Sequence, residues 1–106
     1  TASVAIDQGG TIPSVYALHQ NYPNPFNPST QISFDVPKDN EVIMLNVYNI
    51  LGQNITTLAN SAMTPGRYTM EWNATDEMGN PVASGIYFYE LRSPSFTSRK
   101  KMLLIR

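Results

Sequence analysis

The only histidine of the sequence, His19, is the first candidate for acid–base or nucleophilic chemistry. A hydrolase needs a nucleophile beside a base, or two carboxylates in differently tuned environments. His19 lies just before a proline-rich segment, and no residue that would orient it as a base can be named from the sequence. The chain contains no cysteine, which excludes thiolate nucleophiles and cysteine-ligated zinc. We therefore predict no catalytic residue, and since no glycine-rich phosphate loop is present, no cofactor.

Asp76, Glu77 and Asn80 carry the hard oxygen atoms that calcium prefers. They lie in one short loop, residues 75–81, which rarely supplies six oxygen ligands. An Asp-x-x-Gly sequence is also ordinary turn chemistry, in which the aspartate accepts backbone N–H groups and Gly79 takes a positive φ. We predict a turn and no metal site, with Asp76 and Asn80 as a weak calcium candidate.

The one basic cluster is Arg99, Lys100 and Lys101, followed by Arg106. Nucleic-acid binding would require a wider positive face with stacking aromatic residues, whereas the chain has a net charge of −1. These cations are expected to be solvated charges on an edge strand, where they discourage aggregation. We predict no nucleic-acid partner.

Four tyrosines could form a flat platform for stacking sugars: Tyr48, Tyr68, Tyr87 and Tyr89. In a sheet, alternation instead sends many such side chains to the core or into cross-strand pairs. Carbohydrate binding therefore stays open as an alternative.

The elements that position these residues are short strands. The longest apolar runs have four residues, as at 42–45, and are strand-sized and far below the roughly 20 residues of a membrane span, so no transmembrane segment is predicted. Thr1 is not an initiator methionine and no signal peptide follows it, so we expect a piece of a longer precursor. Residues 1–13 are interpreted as a linker or loosely attached N-terminal segment, and residues 14–106 as one domain.

Period-two alternation recurs along residues 31–36, 43–48 and 68–72, and turn formers separate these runs. Further strands are expected at 53–58, 86–89 and 96–105, with residues 59–66 as a loop. The fold predicted is all-β: a single Ig-like antiparallel sandwich of about seven strands. The residues expected to face inward are Ile32, Phe34, Ile43, Leu45, Val47, Tyr68, Met70 and Trp72.

Five segments and Trp72 form an ordered set of motifs: residues 18–30 (LHQNYPNPFNPST), 47–52 (VYNILG), 65–68 (PGRY), 81–89 (PVASGIYFY) and 99–106 (RKKMLLIR). This order of motifs resembles the C-terminal sorting domains (type A) of the type IX secretion system, which are themselves similar to the Ig-like domain of the flagellar hook-capping protein. The residues that the resemblance marks as sorting motifs are Tyr22, Pro23, Asn24, Pro25, Phe26, Asn27, Pro28, Gly52, Gly66, Gly85, Tyr87, Lys100 and Lys101.

The resemblance implies a non-catalytic module that directs an upstream secreted protein across the outer membrane after export through the periplasm. Its partners would be the outer-membrane secretion and sortase machinery and the upstream cargo domain of the same precursor. In this family the signal is either cleaved or exchanged for a cell-surface lipopolysaccharide anchor, so the protein would be secreted or surface-bound. The alternative is an Ig-like spacer or carbohydrate-binding accessory module of a multidomain secreted enzyme.

Overall fold

A computed structural model describes residues 4–6 and 12–106, and for residues 4–6 the backbone only. Eight strands are present in these ranges: β1 (Val4–Ile6), β2 (Ala17–Leu18), β3 (Thr30–Val36), β4 (Glu41–Asn49), β5 (Asn54–Met63), β6 (Gly66–Trp72), β7 (Gly85–Ser93) and β8 (Phe96–Leu104). They form two four-stranded antiparallel sheets, ordered β1-β6-β3-β2 and β5-β4-β7-β8. The predicted all-β sandwich is confirmed.

The core lies between the two sheets and is built from alternating residues of both. All eight residues expected to face inward are buried. Trp72 contacts the rings of Phe26 and Tyr87 at centroid distances of 5.8 and 5.3 Å, and its Nε1 donates to the Thr75 carbonyl oxygen at 2.9 Å. Period-two alternation therefore identifies the face of each strand that the sandwich buries.

Two Gly-x-Tyr sequences begin strands β6 and β7, one in each sheet. The Tyr68 hydroxyl donates to the Thr64 carbonyl oxygen at 2.7 Å, and the Tyr87 hydroxyl donates to that of Ala83 at 2.6 Å. Each tyrosine thus fastens the turn four residues before it to its own strand, in the manner of the tyrosine corner of Ig-like sandwiches. Gly85 has a φ of 151°, which a residue with a side chain adopts only with strain.

Strand β5 is longer than the sequence predicts, because residues 59–63 belong to it and not to a loop. They pair with Glu41–Leu45 of β4, and a one-residue irregularity follows Thr57. Residues 60–62 are exposed on both faces, so no alternation of apolar and polar side chains marks this part of the strand. The loop assigned to residues 59–66 is therefore wrong up to Met63.

The N-terminal segment, interpreted as a linker or a loosely attached segment, contains strand β1, which pairs antiparallel with β6. Residues 1–3 and 7–11 of that segment lie outside the described residues. Within the described ranges, no helix has the length and apolar character needed to cross a membrane.

Candidate functional site

The proline-rich segment, residues 21–30, crosses from one sheet to the other and packs against the last strand. Tyr22 exchanges two backbone hydrogen bonds with Gln31 of β3. Phe26 then forms a parallel bridge to Leu104: its N–H donates to the Leu103 carbonyl oxygen and its carbonyl accepts from Ile105 N, both at 3.0 Å. The peptide bonds before Pro23, Pro25 and Pro28 are cis. This segment therefore closes one end of the sandwich and occupies part of the outer edge of β8.

Side chains of the segment divide sharply between core and solvent. Phe26 is 2% exposed and contacts Trp72, whereas Tyr22 is 80% exposed. The Asn24 side-chain oxygen accepts the Leu103 N–H at 3.0 Å. Asn24 and Phe26 thus satisfy both backbone groups that Leu103 turns away from β7. Asn27, Pro25 and Pro28 are exposed around this anchor.

A buried hydrogen-bond network holds the start of the segment. Asn21 is 2% exposed, and its side-chain amide donates to Thr30 Oγ1 at 2.9 Å and to the Pro23 carbonyl oxygen at 3.2 Å. The Tyr89 hydroxyl accepts the Asn21 N–H at 2.8 Å and donates to the His19 carbonyl oxygen at 2.7 Å. Burial of the Tyr89 hydroxyl raises its pKa to about 12. The tyrosine therefore joins β7 to the entry of the proline-rich segment.

Beside this junction lies a surface that we call the terminal patch: Asn24, Ile86, Lys101 and Leu103. Ile86 and Leu103 are cross-strand partners on the outer face of β7 and β8, and both are exposed, which is unusual for large apolar side chains placed side by side. Lys101 is exposed next to them. A depression of about 210 Å³ runs between these residues and Met102. The patch combines a small apolar surface with a cation.

Lys100 differs from its neighbour, and here the expectation of two solvated lysines is only half right. It pairs with Tyr89 and is on the same face of β8 as the buried residues Met102 and Leu104, so it is on the core side of the strand at the edge of the sandwich. It is accordingly half-buried, whereas Lys101 is exposed. Only Lys101 is therefore free to contact another molecule without disturbing the packing.

The remaining motif residues have structural positions, and two of them, Gly52 and Gly66, are away from the terminal patch. Gly52 closes the turn after β4 with a φ of 80°, and its N–H donates to the Asn49 carbonyl oxygen at 3.0 Å. Gly66 and Gly85 begin β6 and β7, and Tyr87 is buried against Trp72. The structure thus brings Asn24, Phe26 and Lys101 together and leaves Gly52 and Gly66 apart from them.

His19 belongs to an ion-pair cluster on the outer face of β3. Its Nε2 lies 3.2 Å from Asp35 Oδ2, and Arg67 contacts the same carboxylate through Nε at 2.8 Å and a terminal nitrogen at 3.3 Å. Burial acts to raise the pKa of Asp35, but the hydrogen-bonded Arg67 guanidinium and the neighbouring His19 ring lower it on balance. Within residues 12–106 no hydroxyl group hydrogen-bonds the His19 ring.

The calcium candidate lies in a turn next to a cavity of about 480 Å³ between β5 and residues 71–79. Asp76 Oδ1 accepts the N–H groups of Met78 and Asn80 at 3.0 and 2.9 Å, as an aspartate turn does. Glu77 Oε1 accepts the Thr57 N–H at 2.6 Å. Among the described side chains, no group of three His, Cys, Asp or Glu residues comes together in a way that could hold a metal ion.

The tyrosines proposed as a sugar platform do not share a surface. Tyr68, Tyr87 and Tyr89 are buried in the core, and each hydroxyl donates to a backbone carbonyl. Tyr48 is on the outer face of β4, where the Arg99 guanidinium lies 5.3 Å from its ring centroid. Three of the four rings are therefore unavailable to a ligand.

Comparison with known proteins identifies the family. The FlgD Ig-like domain family matches residues 21–94. Three solved structures share the fold: PorZ of Porphyromonas gingivalis (TM-score 0.60, 23% identity, 84% of this chain and 11% of that one), PorU of the same organism (0.64, 19%, 91% and 10%) and FlgD of P. aeruginosa (0.56, 14%, 89% and 78%). The chain thus spans about a tenth of PorZ and PorU. A sequence comparison with curated proteins gave no match.

Proposed function

Because this chain belongs to the FlgD Ig-like domain family, we propose that it is a non-catalytic sorting module that directs an upstream protein of the same precursor across the outer membrane. The cargo passes through the periplasm, is delivered to the type IX secretion machinery, and ends as a secreted or surface-anchored protein. The module contributes a recognition surface and no chemistry of its own.

The observation that carries the proposal is the contact between the proline-rich segment and the last strand. Asn24 and Phe26 hydrogen-bond Leu103 and Ile105, although about 80 residues separate them in the chain. The first and the last of the segments that resemble sorting sequences therefore form one continuous surface. A receptor that reads this surface would bind the folded domain and not a partly folded chain that lacks its last strand.

The chemistry of the terminal patch suits recognition by another protein. Ile86 and Leu103 offer a small apolar contact, and the Lys101 ammonium offers a charge to an acidic side chain on the receptor. Apolar contacts at the centre with charges at the rim are typical of protein interfaces, and rim charges mainly govern specificity and association rate.

Two of the proteins with this fold support the same context. PorZ is described as an essential bacterial surface component of the type IX secretion system, and PorU comes from the same organism. Their likeness to this chain concerns the fold, and the extension to sorting is our proposal.

A fusion experiment tests the proposal. A periplasm-targeted reporter that is not itself exported would be fused to the complete chain and produced in a bacterium with a type IX system. We expect the reporter outside the outer membrane, and in the periplasm when the translocon gene is deleted. A reporter that stays in the periplasm of the intact strain, although the fused domain is folded, would contradict sorting and favour an Ig-like spacer.

A further inference from the structure

Among the strands that the structure describes, β5 is the one long edge strand with an unprotected stretch, which follows Thr57. Its first half is covered by Glu77, whose N–H donates to the Ile55 carbonyl oxygen at 3.1 Å and whose side chain accepts the Thr57 N–H. In the first sheet the edges are β1, with three residues, and β2, with two. In the second sheet the edges are β8 and β5. The outer edge of β8 is partly bonded, because Gln20 donates to the Lys101 carbonyl oxygen and Asn24 and Phe26 bond Leu103. β5 is ten residues long.

Beyond Thr57, the backbone of β5 directs hydrogen-bonding groups that have no partner away from β4. Thr57 directs its N–H away from β4, toward Glu77. Leu58 has no partner on β4 and is the extra residue of a bulge. After the bulge, Ala59, Ser61 and Met63 direct their backbone N–H and C=O groups toward their partners on β4. Asn60 and Ala62 therefore point their N–H and C=O groups away from the sheet. Within residues 12–106 these groups have no hydrogen-bond partner.

The side chains of β5 do nothing to discourage pairing. No residue from Asn54 to Met63 is charged, and Asn60, Ser61 and Ala62 are small and exposed. Natural edge strands are commonly blunted by lysines or by coverage. β8 follows this rule with Arg99, Lys100 and Lys101, but the free half of β5 does not.

We propose that β5 pairs antiparallel with β5 of a second copy of this chain, about a two-fold axis through Ser61. In this register Asn60 of each copy is opposite Ala62 of the other. Each such pair forms two hydrogen bonds between the outward N–H and C=O groups of its two residues. The two four-stranded sheets become one of eight strands. A second copy fits because identical uncharged edges meet without like charges opposed, whereas two β8 strands would place cations against cations.

Sedimentation equilibrium of the complete chain, from about 10 μM to about 1 mM, tests the association. We expect a monomer–dimer equilibrium in this range that changes little with salt. Ala62→Lys should raise the dissociation constant at least ~10-fold, because it puts a charge into the new ladder. The matched control Thr97→Lys makes the same change on the edge of β8 and should leave the constant unchanged. A monomer at every concentration, or equal effects of both variants, overturns the proposal.

Cysteine cross-linking tests the register, since the chain has no cysteine of its own. Ser61→Cys places two thiols directly opposite each other at a non-hydrogen-bonded pair, within the Cα separation of about 4.4–6.8 Å that a disulfide requires. Asn60→Cys, equally exposed and one residue away, places them farther apart and is the control. We expect rapid oxidation to a covalent dimer for Ser61→Cys alone. Equal rates for the two variants, or no dimer from Ser61→Cys, contradict this pairing.

Discussion

Removal of the Tyr89 hydroxyl tests how the proline-rich segment is anchored to the sandwich. In Tyr89→Phe the ring still fills the core, but the Asn21 N–H and the His19 carbonyl oxygen each lose a partner. Asn21 is buried, so water does not readily replace the hydroxyl. Leaving a buried polar group unsatisfied costs about 1–3 kcal/mol. Because the buried Asn21 N–H and the carbonyl oxygen of the half-buried His19 both lose a partner, we expect the free energy of unfolding to fall by about 2–4 kcal/mol.

Urea unfolding followed by Trp72 fluorescence measures this loss. With an m-value of about 1–2 kcal/mol/M for a domain of this size, the midpoint should fall by about 1–4 M. Tyr48→Phe is the matched control, because Tyr48 is on the outer face of the same sheet and no hydrogen bond of its hydroxyl is found within residues 12–106. That variant should change stability by about 0.5 kcal/mol or less.

The same hydroxyl makes stability depend on alkaline pH. Burial raises the Tyr89 pKa to about 12, whereas the pKa of a tyrosine in the unfolded chain is about 10. The unfolded state therefore loses its proton first, and the contribution of Tyr89 is complete below pH 10 and lost as pH rises toward about 12. Tyr89→Phe should flatten this alkaline decline. A variant as stable as wild type at pH 7, with an unchanged alkaline decline, would refute the anchoring role.

Three other changes have defined outcomes. Trp72→Ala should cost about 3–5 kcal/mol through lost burial and a residual cavity, and an unchanged urea midpoint would show that the ring is not core. Because the Asp35 pKa is lowered, its contribution is present above about pH 4 and lost as pH falls further; Asp35→Asn should flatten the acid limb of a stability–pH curve, and an unaltered limb would contradict the Arg67 pairing. Titration calorimetry with calcium should give no saturable heat of micromolar affinity, because Asp76 Oδ1 already accepts two N–H groups; such a heat, abolished in Asp76→Ala, would establish a metal site.

Alternation predicted most of the core because each β-strand sends successive side chains to opposite faces. Ile32, Phe34 and Val36 are all buried, and so is Trp72 on β6. The rule fails where a strand is exposed on both faces, as in residues 60–62 of β5, and there the extension was missed. Alternation also does not predict that Asp35 is buried, because the residues that cover it, His19 and Arg67, belong to other parts of the chain.

The candidate site was only partly accessible to prediction. The proline-rich segment and the last strand could be identified singly, but their contact joins Asn24 to Leu103, and no local pattern encodes a pairing over that separation. The Asn21 network was missed for the same reason, because its Tyr89 partner is 68 residues away. A sequence signal did exist at short range: Asn21 and Thr30, which hydrogen-bond each other, open and close the proline-rich segment. The half-burial of Lys100 could have been predicted, because Lys100 is two residues from the buried Met102 and therefore on the same face of the strand.

The most direct test of the sorting proposal is the export of a reporter carrying Lys101→Glu. Lys101 is an exposed residue of the terminal patch, so the substitution should leave the melting temperature within about 2–4 °C of wild type. Lys38→Glu makes the same charge change on an exposed turn after β3 and is the control. We predict that the Lys101 variant accumulates in the periplasm of a type IX host while the Lys38 variant is exported normally. Equal export of both folded variants would show that the terminal patch is not the surface that the secretion machinery recognises.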